Sequence, residues 1–228
     1  MPREAARGVP RRHRSRHVVA CLCLVFAVMT SAQAHPHVWI DMKVKVLFDP
    51  GGRITALRYA WLFDEVYTGV VTGDVERDGS GKPTAAGLEK FAHASMQNLA
   101  KFHYLTKAES GGKPLAFGPP REPSARMVAD RLELTFELPL DKPVEATHQA
   151  FTYSAYDPTY YIEMLHVKKK DAIELAGAPA TCHFRLIEPK PDPAKLMEAA
   201  ALDFTHGTDN GLGVFFAEKV VIQCDTSA

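Results

Sequence analysis

The 228-residue chain carries 27 basic and 27 acidic side chains, so its formal net charge at pH 7 is zero. A chain without excess positive charge is a poor partner for nucleic acid. Its length suffices for one good hydrophobic core, or for two small cores that share an interface.

The first 34 residues are predicted to be a cleaved signal peptide. Six arginines and one glutamate precede the apolar stretch "VVACLCLVFAVMTSA", and "AQA" supplies a small-residue cleavage pattern between Ala34 and His35. A retained membrane anchor is the alternative, but the apolar run is shorter than the roughly 20 residues of a spanning helix. We therefore expect a periplasmic protein, residues 35–228, with no membrane anchor after cleavage.

The mature chain would be acidic and would keep two cysteines. Cleavage removes six arginines and one glutamate, which leaves a net charge of −5 and only Cys182 and Cys224. An even pair of cysteines in an exported protein predicts a disulfide. Two buried free thiols are the alternative.

The first elements are predicted to be two strands and a helix. From Val38 to Phe48 apolar and polar residues alternate, "DPGGR" forms a turn, and "ITALRYAWLF" returns as a second strand. Farther on, apolar residues at helical spacing predict one long helix between Thr84, a candidate N-cap, and Tyr104.

The rest of the chain is predicted to be rich in hairpins. A short hairpin about Gly111 and Gly112 precedes the Pro-rich "GPPREPS", which makes residues 118–125 the candidate internal boundary. Several strands follow, then a short C-terminal helix with Asp192 as N-cap. These elements predict an α+β fold with a mostly antiparallel sheet, one long helix and one short C-terminal helix.

The start of the mature chain is the most specific candidate for chemistry, because the common enzyme signatures are missing from the sequence. Cleavage before His35 would place a free α-amine beside an imidazole, and His37 would add a third nitrogen. Pro36 has no backbone N–H and cannot supply a deprotonated amide ligand. Such nitrogens suit Zn, Ni, Co or Cu. A solvated terminus with incidental histidines is the alternative.

Three carboxylates could complete such a site. Asp64 and Glu65 follow the second strand, where they supply ligand oxygens or cap the helix "EVYTGVV". Asp157 in "YDPTYYIEM" is either a turn residue or a ligand presented from a loop. His103, at the end of the long helix, could also reach a site formed by the sheet.

The segments "AHPHVWID", "WLFDE" and "YDPTYYIEM" resemble a periplasmic family of unknown function, often labelled the periplasmic component of an uncharacterized ABC-type transport system. Its members are frequently associated with nickel/cobalt-type permeases. The resemblance implies that His35, His37, Asp64, Glu65 and Asp157 occupy recurrent positions of the family. We expect a non-enzymatic accessory protein that binds Zn, Ni or Co and works with a membrane permease. A metal-independent module that docks on the permease is the alternative.

Overall fold

A computed structural model describes residues 36–202 and 211–226, which fold into two β-sheets with helices between the strands. The predicted signal peptide and His35 lie outside these residues. The strands are β1 (Val38–Phe48), β2 (Ile54–Phe63), β3 (Thr106–Ser110), β4 (Lys113–Pro114), β5 (Arg121–Val128), β6 (Arg131–Val144), β7 (Phe151–Ala155), β8 (Ile162–His166), β9 (Ile173–Ala176), β10 (Cys182–Ile187) and β11 (Lys219–Cys224). The α-helices of these residues are α1 (Glu65–Val71), α2 (Ala85–Ala100) and α3 (Pro193–Ala200).

The large sheet has the strand order β5-β6-β2-β1-β8, and β9 pairs with β1 beside β8. The pairs β5–β6, β6–β2 and β2–β1 are antiparallel, whereas β8 and β9 run parallel to β1. The alternation predicted for β1 is confirmed, because every second side chain is buried: Val38, Ile40, Met42, Val44 and Val46. The period of two therefore places one complete row of β1 in the core.

The small sheet has the order β10-β11-β7-β3-β4, and its pairs are antiparallel. Its buried residues Phe151, Tyr153, Val220 and Ile222 belong to the same hydrophobic cluster as the inner face of the large sheet. The two sheets and one side of α2 thus share a single core, which supplies most of the driving force for folding.

The outer face of the large sheet carries ion pairs between neighbouring segments of the chain. They are Lys43–Asp171, Lys45–Glu174, Arg58–Glu137 and Arg126–Glu133. Exposed pairs of this kind contribute about 0.2–1 kcal/mol each. This face therefore neutralises much of its own charge.

The helix ends follow the sequence signals. Thr84 accepts a hydrogen bond from Gly87 N at the start of α2, and Asp192 accepts one from Lys195 N at the start of α3. Both predicted N-caps are confirmed. The long helix ends at Ala100, before the predicted limit at Tyr104.

The predicted α+β class is wrong: the described chain is largely β, with two mixed or antiparallel sheets. One reason is the Pro-rich stretch at 118–125, within which strand β5 begins at Arg121. Proline removes a backbone donor, but an edge strand tolerates it, and Pro123 lies where the β5–β6 register shifts. A second reason is β9, whose four residues are too few to show a period.

Candidate functional site

Four of the five candidate metal ligands lie at one end of the large sheet. Because β1 is antiparallel to β2 and parallel to β8, the starts of β1 and β8 meet the end of β2. We call this region the sheet end, defined by His37, Asp64, Glu65 and the turn 157–161. His35, the fifth candidate, lies outside the described residues.

Asp64 uses both carboxylate oxygens to hold the sheet end together. Its Oδ1 accepts a hydrogen bond of 2.8 Å from Tyr67 N, which caps α1, and its Oδ2 accepts one of 3.0 Å from Trp39 N. Asp64 N donates in turn to Trp39 O at 2.9 Å. The helix-capping interpretation therefore describes Asp64. Glu65 is exposed and has no ion pair or side-chain hydrogen bond among the described residues.

Asp157 is a buried turn residue. Its carboxylate accepts hydrogen bonds from the backbone N–H groups of Thr159, Tyr161 and Ile162, at 3.0–3.1 Å, and from the Thr159 hydroxyl at 2.8 Å. The turn interpretation of "YDPTYY" is thus the one that the structure shows. By fixing this turn, Asp157 sets where Tyr161 and the start of β8 lie.

The turn 157–161 is also contacted by the 3-10 turn Leu212–Phe216. Gly213 N donates to Pro158 O at 3.0 Å, and a Cβ at Gly213 would lie 1.8 Å from Asp157 O, so only glycine fits. The Tyr160 ring stacks on Phe216 with 3.9 Å between centroids. Tyr160 has φ 58°, a left-handed conformation that these contacts hold in place.

His37 lies at the sheet end among aromatic rings and is half-buried. His37 N donates to Tyr161 O at 2.9 Å, and the two ring centroids are 5.0 Å apart. Trp39 is 47% exposed and Tyr161 is 39% exposed, although both are large and apolar. Burial raises the pKa of Tyr67, and the neighbouring Tyr161 and Asp64 raise it further. Tyr67 therefore remains a neutral hydroxyl beside Asp64.

The described residues of the sheet end do not form a complete metal site. Residues 36–202 and 211–226 contain no group of three or more His, Cys, Asp or Glu placed to hold a metal ion. The carboxylates of Asp64 and Asp157 bind backbone N–H groups, and Glu65 is an exposed carboxylate. Imidazole nitrogen and carboxylate oxygen are both ligands of divalent transition metals.

A buried polar network between the sheets was not predicted from the sequence. Glu218 Oε2 accepts hydrogen bonds of 2.7 Å from both the backbone N and Nδ1 of His166, and the Tyr153 hydroxyl lies 3.1 Å from His166 Nε2. Burial raises the pKa of Tyr153 well above its ordinary value, so its hydroxyl keeps the proton that it can donate to Nε2. The period of β8 could have indicated the burial of His166, because it shares a face with buried Met164.

The turn that follows α2 contains three consecutive left-handed residues, and none of them is glycine. His103, Tyr104 and Leu105 have φ values of 51°, 55° and 51°. Each such residue costs about 1–2 kcal/mol. The turn is held by Leu105, which is buried and whose carbonyl accepts a 2.8 Å hydrogen bond from Tyr156 N.

Replacing His103 with glycine is expected to stabilise the protein by about 0.5–1 kcal/mol. His103 is exposed, so little packing is lost, and the relief of left-handed strain exceeds the extra chain entropy of glycine. Lys101→Gly is the matched control, because Lys101 is also exposed but has φ −67°, and it should lose about 0.5–1 kcal/mol. Urea unfolding measures both changes. If His103→Gly lost as much stability as Lys101→Gly, the prediction that glycine relieves backbone strain at position 103 would be wrong.

None of the helices in the described parts of the chain is both long and apolar enough to cross a membrane.

The molecule is thus a two-sheet, largely β protein whose sheet end joins histidine, carboxylate and aromatic side chains. The chain belongs to the family described as "Protein of unknown function (DUF1007)", whose model matches residues 19–224. It is similar to an uncharacterized protein of Haemophilus influenzae, with 28% identity over 195 residues that cover 84% of this chain and 92% of that protein. Membership of a family of unknown function is therefore confirmed.

Cys182 and Cys224 form a disulfide, as the pair of cysteines predicts. They are directly opposite each other on β10 and β11, at the edge of the small sheet. The bond ties the edge strand β10 to the end of the described chain.

Proposed function

We propose that the protein is a periplasmic accessory component of a transition-metal transport system and that it binds a divalent ion, Zn, Ni or Co, at the sheet end. One observation supports this most: residues singled out at positions 37, 64, 65 and 157, far apart in the sequence, lie at the same end of one sheet. Strand pairing between β1, β2 and β8 accounts for that convergence.

The proposed ligands are two histidines and one exposed carboxylate. The α-amine and imidazole of His35, the imidazole of His37 and the carboxylate of Glu65 are the proposed donors. Asp64 and Asp157 are positioning residues, because their oxygens accept backbone N–H groups that fix the start of α1 and the turn before β8. A mixed nitrogen and oxygen set suits Zn, Ni and Co.

The proposed role is transfer of the ion to or from a membrane permease and involves no catalysis. A donor site at the end of a sheet is open to a partner, and exposed Trp39 and Tyr161 beside it provide apolar contact area. Exposed aromatic residues are enriched at protein interfaces. The family resemblance to components associated with nickel/cobalt-type permeases is the source of the partner assignment.

Replacing both histidines is expected to weaken metal binding at least about tenfold, since even an outer-shell substitution at a metal site costs that much. The experiment uses exported protein shown by mass spectrometry to begin at His35, titrated calorimetrically with Zn, Ni and Co. The test variant is His35→Ala/His37→Ala. The control is His93→Ala/His148→Ala, which removes two exposed histidines outside the sheet end and should bind as the native protein does.

Fluorescence locates the ion in the same samples. Trp39 is exposed and lies two residues from His37. Ni or Co bound at His37 should therefore quench its emission, and Trp39→Phe should abolish most of that quenching. Equal affinity of the native and His35→Ala/His37→Ala proteins, or a mature chain that starts at another residue, would refute the proposed site.

A metal-independent docking module is the second candidate, and the surface of α1 favours it. Val66 is 79% exposed and Val70 is 69% exposed, one helical turn apart on the same side of α1. Co-purification of the permease with His35→Ala/His37→Ala protein in the presence of a chelator would support this candidate over metal transfer.

A further inference from the structure

A cavity of about 500 Å³ lies beside the left-handed turn, and its wall includes neither His37 nor Glu65. Its wall combines the turn 102–105, strand β3, the segment 114–117 and the residues Tyr156 and Pro158. Cavities of roughly 300–1,000 Å³ with apolar and aromatic walls are typical of small-molecule sites. The aromatic residues of this wall are Phe102, Tyr104, Phe117 and Tyr156.

The wall also carries two opposite charges that have no ion-pair partner among the described residues. Lys107 and Glu109 lie two positions apart on β3 and therefore on one face of the strand. Lys107 Nζ is held 5.2 Å from the centroid of the Tyr156 ring, a cation–π contact that leaves its N–H groups available to a ligand. Glu109 is half-buried in the same wall.

The strained turn is a second, independent sign of a binding site. Three successive non-glycine residues in the left-handed region persist only where the surroundings determine the conformation, and such strain concentrates at ligand clamps and active sites. Here the turn contributes His103, Tyr104 and Leu105 to the cavity wall. A right-handed continuation of α2 would carry these three side chains in a different direction.

We infer that this cavity binds a small zwitterion with an apolar body, of the class of a dipeptide with large hydrophobic side chains. The Cα atoms of residues two apart on a strand are separated by about 7 Å. The two charged ends of an extended dipeptide are at most about 7 Å apart, so the spacing of Lys107 and Glu109 matches them. Lys107 pairs with the ligand carboxylate and Glu109 with its ammonium group. The aromatic wall contacts the side chains.

Three forms of one probe test the inference: L-leucyl-L-phenylalanine, its N-acetyl derivative and its C-terminal amide, titrated calorimetrically at low salt. The native protein should bind the zwitterion about three- to fivefold more tightly than either blocked form, which is the scale of one exposed ion pair. Lys107→Gln should abolish the preference for the zwitterion over the amide and leave its preference over the acetyl form unchanged. Glu109→Gln should abolish the preference for the zwitterion over the acetyl form and leave its preference over the amide unchanged.

Two further variants locate the ligand. Ala116 is an exposed residue of the cavity wall, so Ala116→Trp fills the space and should prevent binding, with folding checked by circular dichroism. Lys113→Gln, on the neighbouring strand β4 and outside the wall, should bind as the native protein does. Equal affinity for all three probes, no binding by the native protein, or unchanged binding by folded Ala116→Trp would overturn the inference.

Discussion

Replacing Glu218 with alanine is expected to lower the free energy of unfolding by about 2–6 kcal/mol, because two buried donors each lose their acceptor at a cost of about 1–3 kcal/mol. The carboxylate is the acceptor for both the backbone N and Nδ1 of His166, and the two side chains are 9% and 1% exposed. Without it, two donors are left in the core with no acceptor. Guanidinium unfolding, followed by far-UV circular dichroism, measures the change.

Two control variants separate this effect from the general loss of a surface charge. Glu218→Gln keeps one side-chain oxygen as an acceptor and should lose less stability than Glu218→Ala. Glu174→Ala removes the partner of Lys45 in an exposed pair and should lose at most about 1 kcal/mol. If Glu218→Ala were no less stable than Glu174→Ala, the network would not hold the sheets together.

The hydrogen-bond network of Glu218, His166 and Tyr153 is important for stability because it joins the two sheets. His166 ends β8 of the large sheet, whereas Tyr153 belongs to β7 and Glu218 precedes β11 of the small sheet. Apolar contacts between sheets tolerate small shifts, but hydrogen bonds at 2.7 Å and 3.1 Å do not. The network therefore specifies the relative position of the sheets as well as adding stability.

Local patterns in the sequence were sufficient for the elements with a strong period. The alternation of β1, the N-cap Thr84 and the N-cap Asp192 are each set by a few neighbouring residues, and each is found as expected. Edge strands are different. Pro123 interrupts any alternation in β5, and β9 has four residues, so the share of β structure was underestimated and the fold class was wrong.

Features that depend on strand pairing could not be derived from the sequence. The sheet end requires β8 to run parallel to β1, and nothing local to residues 157–162 specifies that neighbour. The role of Asp64 as a cap was one of two alternatives, and only the hydrogen bonds to Tyr67 N and Trp39 N decide between them. The left-handed turn at His103 is equally hidden, because left-handed backbone is normally signalled by glycine.

Removing the disulfide is expected to cost about 4 kcal/mol on the chain-entropy model, because the bond closes a loop of 42 residues in the unfolded chain. The test variant is Cys182→Ala/Cys224→Ala, compared with native protein in the presence and absence of a reductant. The native protein should lose stability on reduction by the same amount, and the variant should not respond to the reductant. Urea unfolding at a fixed temperature gives both values.

The position of the disulfide predicts which strand loses stability first when the bond is removed. Among the strands of residues 36–202 and 211–226, β10 is an edge strand that pairs with β11 alone. The loop closed by the bond contains α3, the 3-10 turn against Pro158, and Glu218. Without the bond, β10 should exchange its amide hydrogens fastest, while β1 and β2 in the centre of the large sheet remain protected. If Cys182→Ala/Cys224→Ala lost less than about 1 kcal/mol of unfolding free energy, far below the roughly 4 kcal/mol expected from chain entropy, the prediction would be contradicted. Strand pairing alone would then hold β10 in place.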